Sequence, residues 1–336
     1  MQTVLVTGAA GYIGSHTIVE LLNNGIAVIA IDNLLNSKKE AIKRVEQLSG
    51  RAVPFYCVDL CDKKALDSVF LKHKNIDAVI HFAGVKAVCE SLVDPIKYYK
   101  NNVVATICLL ESMQTAGVKN LVYSSTASVY KLDKPALDEN SPLGSASPYG
   151  ITKAMAEKAI IDFSAADPDF KAISLRYFNA AGAHKSGQLG EDPTGYPHNL
   201  MPFLTQVAVG TRPLLEIFGD DYDTLDGSCV RDYMHITDLA NAHILALNAL
   251  KTTTGTKIYN LGSNKPVSVL EIVESFERVN KVKINKKIAP RRLGDEPSYY
   301  TVSTKAQFEL GFKTTKTLDD ICRDHYAWQA NNPKGY

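Results

Sequence analysis

The chain is 336 residues long and 45% hydrophobic, and its 37 basic and 36 acidic side chains leave a formal charge of +1. This length suggests two domains with apolar content enough for a substantial core, and the charge balance excludes the clustered basic excess that nucleic acid or an anionic membrane would require. No apolar stretch is long enough to span a bilayer and no leader precedes the first strand, so the expected compartment is the cytoplasm.

The apolar run 3–7 reads as a first buried strand. It enters Gly8-Ala-Ala-Gly11-Tyr12-Ile13-Gly14 and then a helix with Ile18, Leu21 and Leu22 on its inner face. Glycines at this Gly-x-x-Gly-x-x-Gly spacing permit a tight turn and let backbone N–H groups approach a pyrophosphate at the positive end of the helix. The second strand, 27–32, ends in Asp32, placed to bind a ribose 2′-OH and to repel a 2′-phosphate, which predicts NAD over NADP. Ser37 with Glu40 marks a helix start and Gly50 its stop. Further strands are expected at 53–57, 78–82, 120–124 and 172–176, with one long helix from Pro95 to Gly117. This alternation predicts an α/β fold, a Rossmann-type doubly wound parallel sheet whose ligands lie beyond the carboxyl ends of the strands. Asp59 and Leu60, Phe82 to Gly84, Ser124 to Thr126, and Tyr177 to Asn179 fall there.

Tyr149 and Lys153 stand four residues apart in a helix-like stretch over 149–164, so both lie on one face. A cation beside a phenol favours its ionised form, and the pair can accept a proton near neutral pH. The same spacing also arises where a half-buried tyrosine meets a solvated lysine; the glycine loop upstream is what makes it informative. After residue 180 the texture changes. Gly182 to Pro197 reads as a long functional loop, and helical patterns at 199–209, 237–250, 268–279 and 318–329 suggest a smaller mixed α/β C-terminal lobe. The expected division is 1–180 and 181–336, with a strand or helix exchanged between them. The stretch 281–287 reads as a strand edge. Arg231 and Arg292 directed at one cleft would suit a diphosphate, although each alone also suits a surface ion pair. The six cysteines are scattered and read as reduced thiols, and the dispersed histidines give no metal site.

Thr7 to Ser15, Asp32-Asn33-Leu34, His81 to Val88, Ser147 to Lys153, Arg176 to Asn179, Gly190-Glu-Asp-Pro193, Asn199 to Pro202 and Val230-Arg-Asp-Tyr233 together resemble the UDP-glucose 4-epimerase family of the extended short-chain dehydrogenases/reductases. The segment Ala289 to Asp295 is the more specific part of the resemblance. The resemblance implies reversible interconversion of UDP-galactose and UDP-glucose through a 4-keto sugar, with a resident NAD reduced and reoxidised in each turnover. Tyr149 would take the proton of the 4-OH, Lys153 would hold the cofactor ribose and lower the Tyr149 pKa, and Thr126 would relay a hydrogen bond.

By the same resemblance, Tyr12, Ile13, Asp32, Asn33, Asp59, Leu60, Phe82, Lys86, Asn101 and Phe178 join Gly8, Gly11, Gly14, Ala83 and Gly84 as NAD contacts. Asn179, Asn199, Leu200, Phe218, Arg231, Arg292 and Asp295 would grip the nucleotide, leaving the sugar free to turn. Tyr299 would close the pocket around the sugar's 2-substituent and disfavour N-acetyl sugars. Lys131 and Cys89 depart from glycines usual in the family. A dehydratase or decarboxylase would need an acid beside the central hydroxyl, where Thr126 is followed by Ala127-Ser128; a catalytically silent scaffold would have lost Tyr149 or Lys153. Helices 95–117 and 149–164 match those through which the family dimerises.

Overall fold

The computed structural model describes residues 2–197, 199–292 and 295–336. Its principal sheet has seven parallel strands in the order Thr256–Leu261, Lys171–Tyr177, Asn120–Thr126, Ala78–His81, Thr3–Thr7, Ala27–Asp32 and Phe55–Cys57. The chain builds outward from Thr3–Thr7 through two strands, then crosses back to lay Ala78–His81 against the other side of the first strand, in register from Val4↔Ala78 to Thr7↔His81. That reversal opens a crevice at the carboxyl ends of the two central strands.

Alternate residues of each strand serve opposite faces, as the two-residue repeat of a strand requires. Val4, Val6, Val28, Ala30, Ile80 and Val122 pack on one side with the helix Tyr12–Asn23 and the helix Glu40–Ser49. Leu5, Ile29, Ile31, Val79 and Leu121 pack on the other with Lys63–Lys72, Ala105–Ala116 and Pro148–Ala166. Both faces are covered, which is why these strands read as continuous apolar runs.

Several expectations need correction. The helix expected from Ser37 begins at Glu40, capped by Lys39 without a side-chain bond, and the Ser37 hydroxyl instead donates to Asp32 Oδ1 at 2.8 Å. Gly50 does end that helix, at φ 66°. The helix expected over Pro95–Gly117 runs through a π turn at Tyr99–Val104. There Asn102 turns inward to bond the N–H and C=O of Val85 at 2.8 and 3.1 Å, tying the turn to the loop after Ala78–His81. Within 281–287 only the end is strand: Lys281 adopts φ 55° as a helix cap, and Lys286–Ala289 pairs with Leu215–Phe218.

The seventh strand lay outside the predicted set, and the helix expected at 237–250 does not pack in the C-terminal lobe. Thr256–Leu261 pairs with Lys171–Tyr177, and the preceding helix Ile236–Ala249 packs Ile236, Leu239 and Leu247 into the first sheet's apolar face. The remaining C-terminal elements form small mixed sheets around Val230–His235 and Ser298–Thr301. The helices Leu200–Ala208, Val269–Asn280 and Leu318–Asn331 share a separate apolar cluster with them. Lys131 and Cys89 both avoid positive φ, so neither departure from glycine strains the backbone.

Candidate active site

The crevice is built first by glycine. Gly8 sits at φ +65°, and a Cβ there would lie 2.6 Å from Ala83 N, so the loop after the first strand and the loop after Ala78–His81 touch only because a side chain is missing. A Cβ on Gly14 would lie 2.3 Å from Gly8 O, which fixes how closely the helix follows the turn. That helix starts at Gly11 with no side-chain cap and no acidic residue in its first turn. Its first N–H groups and the positive end of its dipole therefore face the crevice, as an anion would require.

Asp32 is buried beside this turn, its Oδ2 accepting from Ala10 N at 2.9 Å and its Oδ1 from Leu34 N and Ser37. Three protein donors hold the carboxylate in place, and one acceptor site remains, on Oδ2, for a ribose hydroxyl. Asn33, Asp59, Leu60, Phe82, Ala83, Gly84, Lys86 and Asn101 line the same crevice with Gly8, Gly11, Tyr12, Ile13, Gly14, Tyr149 and Lys153. Two of the expected contacts lie back from it: Thr126 and Phe178, the latter packed with Val129, Tyr130 and Leu137.

The helix Pro148–Ala166 delivers Tyr149 and Lys153. Ser147 caps it by accepting from Gly150 N at 3.2 Å, and Pro148 occupies the first turn. A Cβ on Gly150 would stand 2.1 Å from Ser128 O, so glycine lets the helix start press against the turn after Asn120–Thr126. Thr126 Oγ1 accepts from Ser128 N at 3.1 Å, and Thr126 works against the rise of the Tyr149 phenol. Ser124 and Tyr177, which line the crevice beside them, share a hydrogen bond of their own.

The electrostatics differ from the expectation for the pair. Burial raises the Tyr149 phenol above its ordinary value, opposed by the Thr126 hydrogen bond and the charge of Lys86. Lys153 is buried one turn along the same helix with Nζ 4.3 Å over the Tyr123 ring, and burial lowers it to about 7 despite the carboxylate of Glu157 one turn further on. Lys86, on the opposite wall of the crevice, has its Nζ 2.9 Å from Glu191 Oε1.

The expected nucleotide contacts gather in the second lobe. Asp295 lies between two guanidiniums, with Arg292 donating at 2.8 and 3.1 Å and Arg231 Nη2 at 3.8 Å. Arg231 stacks 4.3 Å over Tyr299, and Arg292 stacks 5.5 Å over Phe218. Asn199 donates to Glu191 Oε1 at 3.1 Å, Asn179 to Asp232 O at 3.0 Å, and Leu200 opens the helix Leu200–Ala208. In the sequence Glu191 stands only within Gly190-Glu-Asp-Pro193, with nothing to assign it a role; its burial and its partners on two lobes are tertiary facts. Among the described residues no group of His, Cys, Asp or Glu is arranged to hold a metal.

Residues 4–262 match the model of the NAD dependent epimerase/dehydratase family. A UDP-glucose 4-epimerase of Erwinia amylovora is 49% identical over 336 residues, covering 99% of both chains. One from Bacillus subtilis is 48% identical over 336 residues, covering 100% of this chain and 99% of its own. The crystal structure of UDP-glucose 4-epimerase from Bifidobacterium longum in complex with NAD+ and UDP superposes with a TM-score of 0.95 at 44% identity, covering 100% of each chain.

The buried ammonium of Lys153 has a measurable cost. With its pKa lowered in the folded state, the penalty is complete below about pH 7 and fades as pH rises toward the unfolded lysine value near 10.5. In protein freed of bound nucleotide, Lys153→Met should therefore be more stable than wild type at pH 6 by roughly 2 kcal/mol or more. Denaturant titrations at several pH values should show the gap closing toward pH 10; a constant gap would contradict the assignment.

Proposed function

The chain belongs to the NAD dependent epimerase/dehydratase family, and from that premise we propose that it interconverts UDP-glucose and UDP-galactose by inverting the sugar's C4. The observation that carries this reading is Tyr149, set with Lys153 in the lining of a crevice whose glycine loop and uncapped helix suit a dinucleotide. The first sheet would hold the dinucleotide and the C-terminal lobe the UDP moiety. Bound NAD supplies what no side chain here can, a reversible acceptor for the hydride of C4.

The residues then divide the work. The N–H groups at Gly11 to Gly14 would meet the pyrophosphate, Asp32 and Asn33 would take the adenosine ribose, and Lys86, Asn101 and Lys153, which line the crevice, would hold the far half, with Phe178 set behind its wall. Tyr149 Oη takes the proton of the 4-OH and returns it after the sugar has turned. Thr126, whose oxygen already accepts from Ser128 N, has its own hydroxyl proton left to offer and would relay a hydrogen bond to Tyr149. Arg231 and Arg292 exchange part of their hold on Asp295 for the diphosphate, while Asn179, Asn199, Leu200 and Phe218 surround the nucleoside. A ring that must present both faces can be gripped only through the part that stays still.

Tyr149→Phe keeps the ring and removes the proton carrier, so conversion of UDP-galactose to UDP-glucose should fall by about a hundred- to ten-thousandfold; unchanged turnover would refute the assignment. Tyr299, with Arg231 4.3 Å over its ring and Phe178 tilted beside it at 6.2 Å, would narrow the site around the 2-substituent. Tyr299→Cys should then raise kcat/KM for UDP-N-acetylglucosamine at least tenfold while leaving UDP-glucose within a few-fold, and no gain would remove the steric account. The chain's six free cysteines suit a reducing cytoplasm. Exposed Ile107, Ile151 and Met155 on two adjoining helices suit a homodimer. Sedimentation should give twice the chain mass for wild type and one chain for Ile107→Glu with Met155→Glu.

A further inference from the structure

Lys38 follows Ser37, the residue that donates to Asp32, and reaches across the crevice mouth to the loop before the C-terminal lobe, where its Nζ lies 2.8 Å from Asp192 Oδ2. The same carboxylate oxygen accepts from Tyr336 N at 3.0 Å, and Lys38 Nζ also reaches Tyr336 O at 3.5 Å. One carboxylate thus gathers the loop 33–39, the loop around Gly190 and the segment that follows the helix Leu318–Asn331. That segment is shaped for its seat. Gly335 lies at φ +77°, and a Cβ there would stand 2.1 Å from Asp192 Oδ1, so only glycine lets the backbone close on the carboxylate. Tyr336 then folds inward, its hydroxyl donating to Gly190 O at 3.2 Å and accepting from Gly190 N at 3.3 Å. Its ring lies 4.7 Å from that of Trp328, with the Arg44 guanidinium 5.0 Å over it. Arg44, on the helix Glu40–Ser49, also donates to Gln188 O and Asn332 Oδ1 at 2.8 and 2.6 Å. Lys38, Asp192 and Tyr336 line the crevice together with Asp32 and Asn33.

We propose that the segment 333–336 is a strap across the Asp32 end of the crevice, and that by clasping Asp192, Lys38 and Arg44 it holds the dinucleotide in place between turnovers. The inference rests on the crevice being the NAD site. Its basis is where the partners come from. Lys38 and Arg44 belong to the first sheet's second loop and helix, Gly190 and Asp192 to the loop between the lobes, and Tyr336 to the second lobe, so the loop 33–39 cannot part from that lobe until the clasp is undone. Lys38 is half exposed, and a surface ion pair contributes little alone. Several such contacts acting on one segment make a gate that opens, but slowly. The reaction needs that slowness, because a hydride returned to the carbon it left is lost to the sugar if the dinucleotide leaves first.

The test follows exchange of bound NAD for labelled NAD added in excess to the holoenzyme, beside the thermal midpoint of the nucleotide-free protein. Tyr336→Ala and Asp192→Ala should each speed release by about tenfold, and the double variant should be no faster than the quicker single one, since both open one clasp. Tyr336→Phe, which keeps the ring packing and loses only the bonds to Gly190, should fall between wild type and Tyr336→Ala. Lys38→Met, at a half-exposed side chain that the fold does not need, should speed release a few-fold. Release unchanged in these variants, or increments that multiply in the double variant, would overturn the proposal. So would release rates that merely track a falling midpoint, which would leave the segment a structural element. Wild-type protein that retains no NAD would refute the reading of the crevice itself, a result separate from any difference among the variants.

Discussion

The site rests on a buried ion pair beneath it. Arg176, on the strand Lys171–Tyr177, meets Glu157 through two parallel contacts at 2.9 and 2.5 Å, both side chains 2–3% exposed, and its third nitrogen reaches the Tyr130 hydroxyl at 3.0 Å. This fork fixes the rotation and height of the helix Pro148–Ala166 against the sheet, and so the places of Tyr149 and Lys153 two turns and one turn above it. Such a pair adds little net stability over an apolar contact, but breaking one partner is costly, which makes it a strong constraint on register. Tyr130 passes the constraint on through Asn260, at the end of the seventh strand.

The second constraint is the seam between the lobes. Tyr12, at the start of the glycine-loop helix, donates to Gly182 O at 2.6 Å; Lys86 meets Glu191; and Val230–His235 pairs with Asn179–Ala181 directly after the first sheet's sixth strand in the chain. The chain also crosses the seam, since Ile236–Ala249 and Thr256–Leu261 return to the first sheet. The groups expected to hold the UDP moiety and the expected proton-transfer groups therefore lie on different lobes, joined by polar contacts, by shared apolar packing and by the elements that cross between them. An epimerase gains from this arrangement, because firm hold on a nucleotide and freedom of a sugar ring are needed together.

Burial is the common cause of the site's unusual ionisation. It lifts Tyr149, lowers Lys153 to about 7 and holds His81, bonded to Thr7 and Thr106, neutral at about 3. The same low-dielectric surroundings that raise the phenol also strengthen any charge placed against it. A dinucleotide held in the crevice would bring the positive charge of its nicotinamide into these surroundings.

The residues that local chemistry fixes were legible in the chain itself. Gly8 and Gly14 announce a turn that no side chain could enter, Asp32 follows a buried strand, and Ser147-Pro148 begins a helix that must carry Tyr149 and Lys153 on one face. Six of the seven strands show as apolar runs because both faces of a parallel sheet are covered. What pairing over long distances decides was not legible. Thr256–Leu261 gives no sign in its own sequence that it will join Lys171–Tyr177, and Ser37 resembles a helix cap until Asp32 is near enough to accept its hydrogen bond. The ionisation of Lys153 and the placement of Glu191 belong to the same class: residue type and spacing supply the groups, but solvent exclusion and the partner across the seam exist only once the chain has closed on itself.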